Sequence, residues 1–232
     1  MNKIVIPPNT GAVDAPRRLS VSAMMDQALK PFHVVDDLSD AIRLASTVRD
    51  LVARGSGGDL IALRTTDPAE RWELHCRAYE MVEVLPAAAS IRVAFDVVHT
   101  SITTRPTERE KLALIGAMLG GCGIRSTPDV DSYIQGLAWM LGDCAVDRDI
   151  EWFNDRKPWL PLPAIAAAVR KIWSERRDDY GRPVPIADFL DECRRYSSEL
   201  VHHRSRVANL GVTHRCLSEI VKATEDSYPE ED

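Results

Sequence analysis

Residues 184–210 read VPIADFLDECRRYSSELVHHRSRVANL. Along this stretch Ile186, Phe189, Cys193, Tyr196, Leu200, His203, Val207 and Leu210 recur at alternating intervals of three and four. Such spacing puts all eight side chains on one seam of an α-helix. Asp188, Asp191 and Glu192 fall near the start of the helix, where negative charge suits the helix dipole. A seam like this serves one of two ends: it lies on the body of its own domain, or it pairs two copies as a homodimer through the 186–210 helix. Phe, Cys, Tyr and His are poor choices for a two-stranded zipper. The seam is therefore predicted to pack within the chain.

Immediately upstream, residues 158–173 read PWLPLPAIAAAVRKIW. Prolines at 158, 161 and 163 push the residues before them into extended conformation, so a helix is expected only from Ala164. Ile165, Val169, Ile172 and Trp173 then recur at helical spacing, and Ala166, Ala167 and Ala168 allow close approach of a neighbour. Arg176 and Arg177 suit the last turn. The connection DDYGRPVP reverses the chain, giving a helical hairpin over 158–210. A separate short helix is expected over 213–224, followed by an acidic tail at 227–232.

The earlier chain reads as about six helices joined by short loops. Residues 1–19 form an arm broken by prolines. Ser20 or Ser22 caps a short helix that Pro31 closes. Asp36 and Asp37 open an amphipathic helix carrying Leu38, Ile42, Ala45, Val48, Leu51 and Val52, which Gly55 ends. The glycines from Gly55 to Gly58 make a turn, with Leu60 to Leu63 as a strand or packed loop. This turn separates an N-terminal helical piece (20–58) from a main helical domain (59–226). Asp67 caps a helix with Pro68 at its first position, its inner face drawn from Trp72, Cys76, Tyr79, Val82 and Val84. A helix over 87–102 turns Ile91, Phe95, Val98 and Ile102 to one side. Thr107 and Glu110 form a capping box for a helix with Leu112, Ile115 and Leu119 inward. Thr127 and Pro128 open another with Tyr133, Leu137, Met140 and Leu141 inside, ended by Gly142, and 147–154 form a further short helix. The fold class is mainly α: a multi-helix bundle with a long C-terminal helical hairpin.

Composition narrows the function. The 232 residues carry a formal net charge of −6, and 45% are hydrophobic, enough for a core. No run approaches the roughly 18 apolar residues needed to span a bilayer. Five scattered cysteines without a CxxC pair, and no secretory signal, point to reduced thiols in the cytoplasm. Cys193, His202, His203, His214 and Cys216 lack the paired spacing of a structural zinc site, so neither metal nor other cofactor is expected. No hydrolase, zincin, deaminase or phosphate-loop motif occurs, and the glycine turn at 55–58 follows a helix rather than a strand. The carboxylate clusters read as helix ends or solvated faces. No catalytic residue is assigned and the chain is not expected to be an enzyme.

The basic residues run against the overall charge. Residues 164–216 hold ten Lys or Arg against seven acids. Arg195, His202 and Arg206 share a helix face at i, i+7 and i+11, with Arg194 and Arg204 beside them. These five are the candidate nucleic-acid or partner-binding residues; an ordinary solvated face is the plainer reading.

The segment GRPVPIADFLDECRRY (181–196) resembles one found in phage and prophage replication-accessory proteins related to the lambda replication protein P. The order of parts is similar too: Tyr133 and Leu137, then the Ala-rich helix from Ala164 to Trp173, then Pro183, Pro185, Phe189 and Cys193. The resemblance covers residues 107–197 at most. The chain has Ile186-Ala187-Asp188 where the pattern often has Ala or Gly and Glu, and it has no clear counterpart of a helicase-contact tail. The resemblance implies a non-enzymatic adaptor in DNA replication of a mobile element, contacting a replicative helicase or DNA. The alternative is a helical scaffold or regulator that binds a protein partner only.

Overall fold

The computed structural model describes residues 20–54, 67–123, 128–141, 159–175 and 184–225. The arm at 1–19, the turn at 55–58 with 60–63, Thr127, Gly142, the helix expected at 147–154, Arg176, Arg177 and the acidic tail lie outside them. Among the described residues the chain is helical without strands: α1 (Val21–Asp37), α2 (Ser39–Thr47), α3 (Arg49–Arg54), α4 (Pro68–Val84), α5 (Ala88–Thr103), α6 (Glu108–Gly121), α7 (Pro128–Trp139), α8 (Leu162–Glu175) and α9 (Ile186–Thr224).

α9 is the spine. It runs 39 residues without a break and packs against α1, α2, α3, α4, α5 and α8. The 186–210 seam faces inward: Phe189, Cys193, Leu200, His203, Val207 and Leu210 are buried, and Ile186 and Tyr196 are partly so. Two apolar clusters share this helix. Phe189, Leu190 and Cys193 join α1, α6, α7 and α8 around Leu114, Ile115, Met118, Leu137 and Ile165. Val207, Leu210, Leu217 and Ile220 join α2 to α5 around Leu51, Leu74, Ile91 and Val98. Between the clusters, the Phe32 ring of α1 stands edge-on to Tyr196 and His203, with centroids 5.8 and 5.7 Å away. Each fully buried Leu or Phe contributes about 1.5–3 kcal/mol by leaving water.

The residues predicted to cap helices do so where they are described. The Ser20 hydroxyl accepts the Ala23 N–H at 3.1 Å, and Asp67 accepts that of Ala69. In the capping box, Thr107 Oγ1 accepts the Glu110 N–H at 3.2 Å while Glu110 accepts the Thr107 N–H at 2.8 Å. Tyr133 Oη donates to the Val184 carbonyl at 2.6 Å, tying α7 to the start of α9.

The structure corrects several sequence expectations. α9 does not stop before 213; it passes through Gly211. A glycine inside a helix costs roughly 1 kcal/mol, but Thr213, Cys216, Leu217 and Ile220 are all buried beyond it. Nor does α1 close at Pro31. Pro31 is buried inside the helix, where the core contacts of Leu29, Pro31 and Val35 outweigh the lost backbone bond. Asp36 and Asp37 thus end α1 instead of opening the next helix, which is itself broken at Val48 into α2 and α3. α4 buries Leu74, His75 and Ala78, whereas Tyr79 and Val84 are 50% and 69% exposed. Leu112 of α6 is exposed, and Lys111 and Leu114 take the inner positions. α8 begins at Leu162, with Pro163 tolerated in its first turn because no N–H is needed there.

Candidate partner-binding surface on the long helix

The five basic positions read from the sequence divide in three dimensions. Arg195, His202 and Arg206 line one shallow concavity on the outer side of α9, with Ser198, Glu199 and Asn209. Arg194 and Arg204 do not line it. Arg204 lies two residues before Arg206, a rotation of about 200° around the helix. Arg194 pairs instead with Asp191 at 2.9 Å.

Arg195 is the most constrained of the set. Its Nη2 and Nε lie 2.7 and 2.9 Å from Glu192 Oε2, and its guanidinium sits 4.1 Å over the Tyr196 ring. Glu192 also accepts from Lys171 of α8 at 2.6 Å. Burial pulls the Glu192 carboxyl upward, but the hydrogen bonds from Lys171 and Arg195 outweigh it and hold the group below its ordinary range. The Lys171 ammonium is raised, chiefly by its hydrogen bond to Glu192, and the Arg195 guanidinium is raised by the same carboxylate. This cluster fastens the hairpin and leaves Arg195 partly neutralised.

Arg206 and Asn209 belong to a second concavity as well, a groove of about 620 Å³ between α9 and α2–α3. Its floor is aliphatic: Ile42, Ala45, Val52, Leu210 and Val212. Its rim carries Arg43, Arg49 and Arg206. Arg43 meets Asp40 at 3.0 Å in a highly exposed pair, an interaction worth little in water. The lining contains no Asp or Glu, although the chain as a whole is acidic. Sequence reasoning missed Arg43 and Arg49. They sit on either side of the helix break at Val48, so no single helical period links them to each other or to α9.

His75, His203, Cys193 and Cys216 are buried within the fold. His203 is buried against Phe32, with Nε2 3.4 Å from Glu199. The buried Thr224 hydroxyl donates to the Ile220 carbonyl at 2.7 Å, and His75 Nδ1 lies 3.0 Å from it. Burial pushes the Cys193 thiol well up and the Cys216 thiol up. Among the described residues no three His, Cys, Asp or Glu side chains gather as metal ligands. A cleft of about 730 Å³ lies between α1, the α5–α6 connection and α8. Glu110, on its wall, is already engaged in the capping box.

Comparison with family models, with curated proteins and with solved structures finds no match to this chain. Among the described residues no helix is long and apolar enough to cross a membrane.

Proposed function

We propose that the chain is a non-enzymatic, cytoplasmic adaptor in DNA replication or another DNA transaction of a phage or mobile element, binding a replicative helicase or DNA through the outer surface of α9. The replication context comes from the resemblance of residues 107–197. The observation that carries the binding role is the continuity of Arg195, His202 and Arg206 with Arg43 and Arg49 along two adjoining concavities. The structural employment of His75, His203 and Glu192 fits a role in binding rather than in chemistry. A second reading, a scaffold or regulator that binds protein only, is favoured by the neutralisation of Arg195 and the presence of Glu199 on the same face. Both lower the positive potential that a polyanion would meet. A homodimer through the 186–210 helix would use this outer face, since the seam is occupied within the chain.

The deciding experiment is recovery of partners by tagged protein from lysate, with and without nuclease, over a salt series. Recovery of DNA, or of a hexameric helicase, supports the adaptor; DNA retention should fall steeply with salt. Recovery of one unrelated protein, unaffected by nuclease, supports the second reading and removes the first.

A further inference from the structure

The groove between α9 and α2–α3 differs from the rest of the outer face in having an aliphatic floor beneath its basic rim. Its walls are two ladders of side chains. Arg206, Asn209 and Thr213 line it from α9 at i, i+3 and i+7, and Ser39, Arg43 and Ser46 from α2 at i, i+4 and i+7. Each ladder runs about two helical turns, roughly 10 Å. Arg49, at the first position of α3, closes the rim.

We propose that this groove is the docking site for an acidic amphipathic segment of a partner protein, with aliphatic side chains on the floor and carboxylates on the arginine rim. The proposal rests on reading the chain as a binding protein and specifies the class of partner. Three features select that class. Guanidinium groups donate to carboxylates in a two-pronged geometry that a point charge cannot match. The lining has no carboxylate, so a basic segment would find no acceptor on the groove wall and would face the arginines of its rim, a repulsive element that sharpens specificity. The lining also has no aromatic ring, and an unpaired nucleobase would find no stacking surface of the kind that single-strand binders use. Isoleucine, valine and leucine instead match aliphatic side chains spaced along one face of a helix or turn. Val212, at the edge of the floor, is 41% exposed and available to such contacts.

The test uses the full chain and fluorescence anisotropy with four labelled probes. They are a short peptide with leucine at helical spacing and glutamate elsewhere, the same peptide with lysine for glutamate, an all-glutamate peptide, and an oligothymidylate. The Glu–Leu peptide should bind. The double variant Arg49→Glu/Arg206→Glu should weaken it at least about tenfold, and Val212→Asp by several-fold. Lys222→Glu, an exposed change at the last turn of α9, should leave it unchanged. Circular dichroism melts confirm that each variant is folded. The proposal is overturned if the all-glutamate or the lysine peptide binds as tightly as the Glu–Leu peptide. It is equally overturned if the oligonucleotide occupies the groove and is lost with the same substitutions, or if the Glu–Leu peptide does not bind. In that last case, helicase or DNA still recovered from lysate leaves the adaptor reading standing and removes only the docking assignment.

Discussion

Replacing Gly121 by alanine should destabilise the protein although alanine is the better helix former. Gly121 is the last residue of α6 and lies against the indole of Trp173 on α8. A Cβ at position 121 would sit 2.1 Å from Trp173 Nε1 and 2.6 Å from Cδ1 and Cε2. Ordinary carbon contacts are about 3.5–4.0 Å, so the ring must retreat by more than an ångström. Trp173 Nε1 donates to the Met118 carbonyl at 3.3 Å, and that bond is lost in the retreat. The Met118 carbonyl keeps the Cys122 N–H at 3.0 Å, so only the indole donor loses its partner. Overpacking costs about 1–3 kcal/mol and the hydrogen bond about 0.5–1.5. The helix-propensity gain offsets at most about 1 kcal/mol, and less at a terminal position. The net loss is about 0.5–4.5 kcal/mol, which for a chain of this size lowers Tm by about 2–4 °C per kcal/mol. Urea and thermal melts followed by circular dichroism at 222 nm measure it. Trp173→Leu in the Gly121→Ala background should recover part of the loss, because the shorter side chain makes room; the two changes then combine to less than their sum. A Gly121→Ala protein as stable as the parent, or strictly additive substitutions, would refute this packing argument.

Other outcomes follow from particular contacts. Lys111 is buried, donates to the Ala138 carbonyl at 3.2 Å and pairs with Glu108. Lys111→Met keeps the volume but removes that hydrogen bond from a charged donor, so urea melts should show a loss of about 1.5–3 kcal/mol; unchanged stability would remove the assigned role. Because the folded Glu192 carboxyl is held low, its contribution is full above the unfolded carboxylate range and is lost as pH falls through the folded value. Glu192→Gln should therefore be less stable than the parent at neutral pH, and the difference should shrink as pH falls below the ordinary carboxylate range and vanish only below the folded value; a difference constant with pH would contradict the linkage. The raised Lys171 works in the opposite sense: its contribution is full below the unfolded lysine pKa and is lost as pH rises through the folded value. A thiol reagent at mild pH should label Cys76, which is only partly buried, before Cys193 and Cys216. Fast labelling of Cys193 in the native protein would contradict its burial.

The legible parts of the fold were those decided locally or by repetition. Thr107 and Glu110 cap each other within one turn, and Asp67–Pro68 announces a helix whatever packs on it later. The 186–210 seam was readable because its positions keep one helical period and face inward along one side of α9, over both apolar clusters. Tertiary contacts decided what was misread. Pro31 and Gly211 are breakers by propensity, yet each sits in a helix whose next turns are buried. The inner face of α4 was placed too near Tyr79, because His75 is a core residue only once Thr224 supplies its partner. The candidate surface was half visible. Arg195, His202 and Arg206 share a helical period, whereas Arg43 and Arg49 reach Arg206 only because α2 and α3 fold against α9.

The central claim is that the chain acts by binding a partner at the groove between α9 and α2–α3. Partner recovery from nuclease-treated lysate by the parent, by Arg49→Glu/Arg206→Glu and by Lys222→Glu, each confirmed folded, tests it most directly. The account predicts a partner recovered by the parent and by Lys222→Glu and lost with the rim double variant. The same partner recovered equally by all three would contradict it.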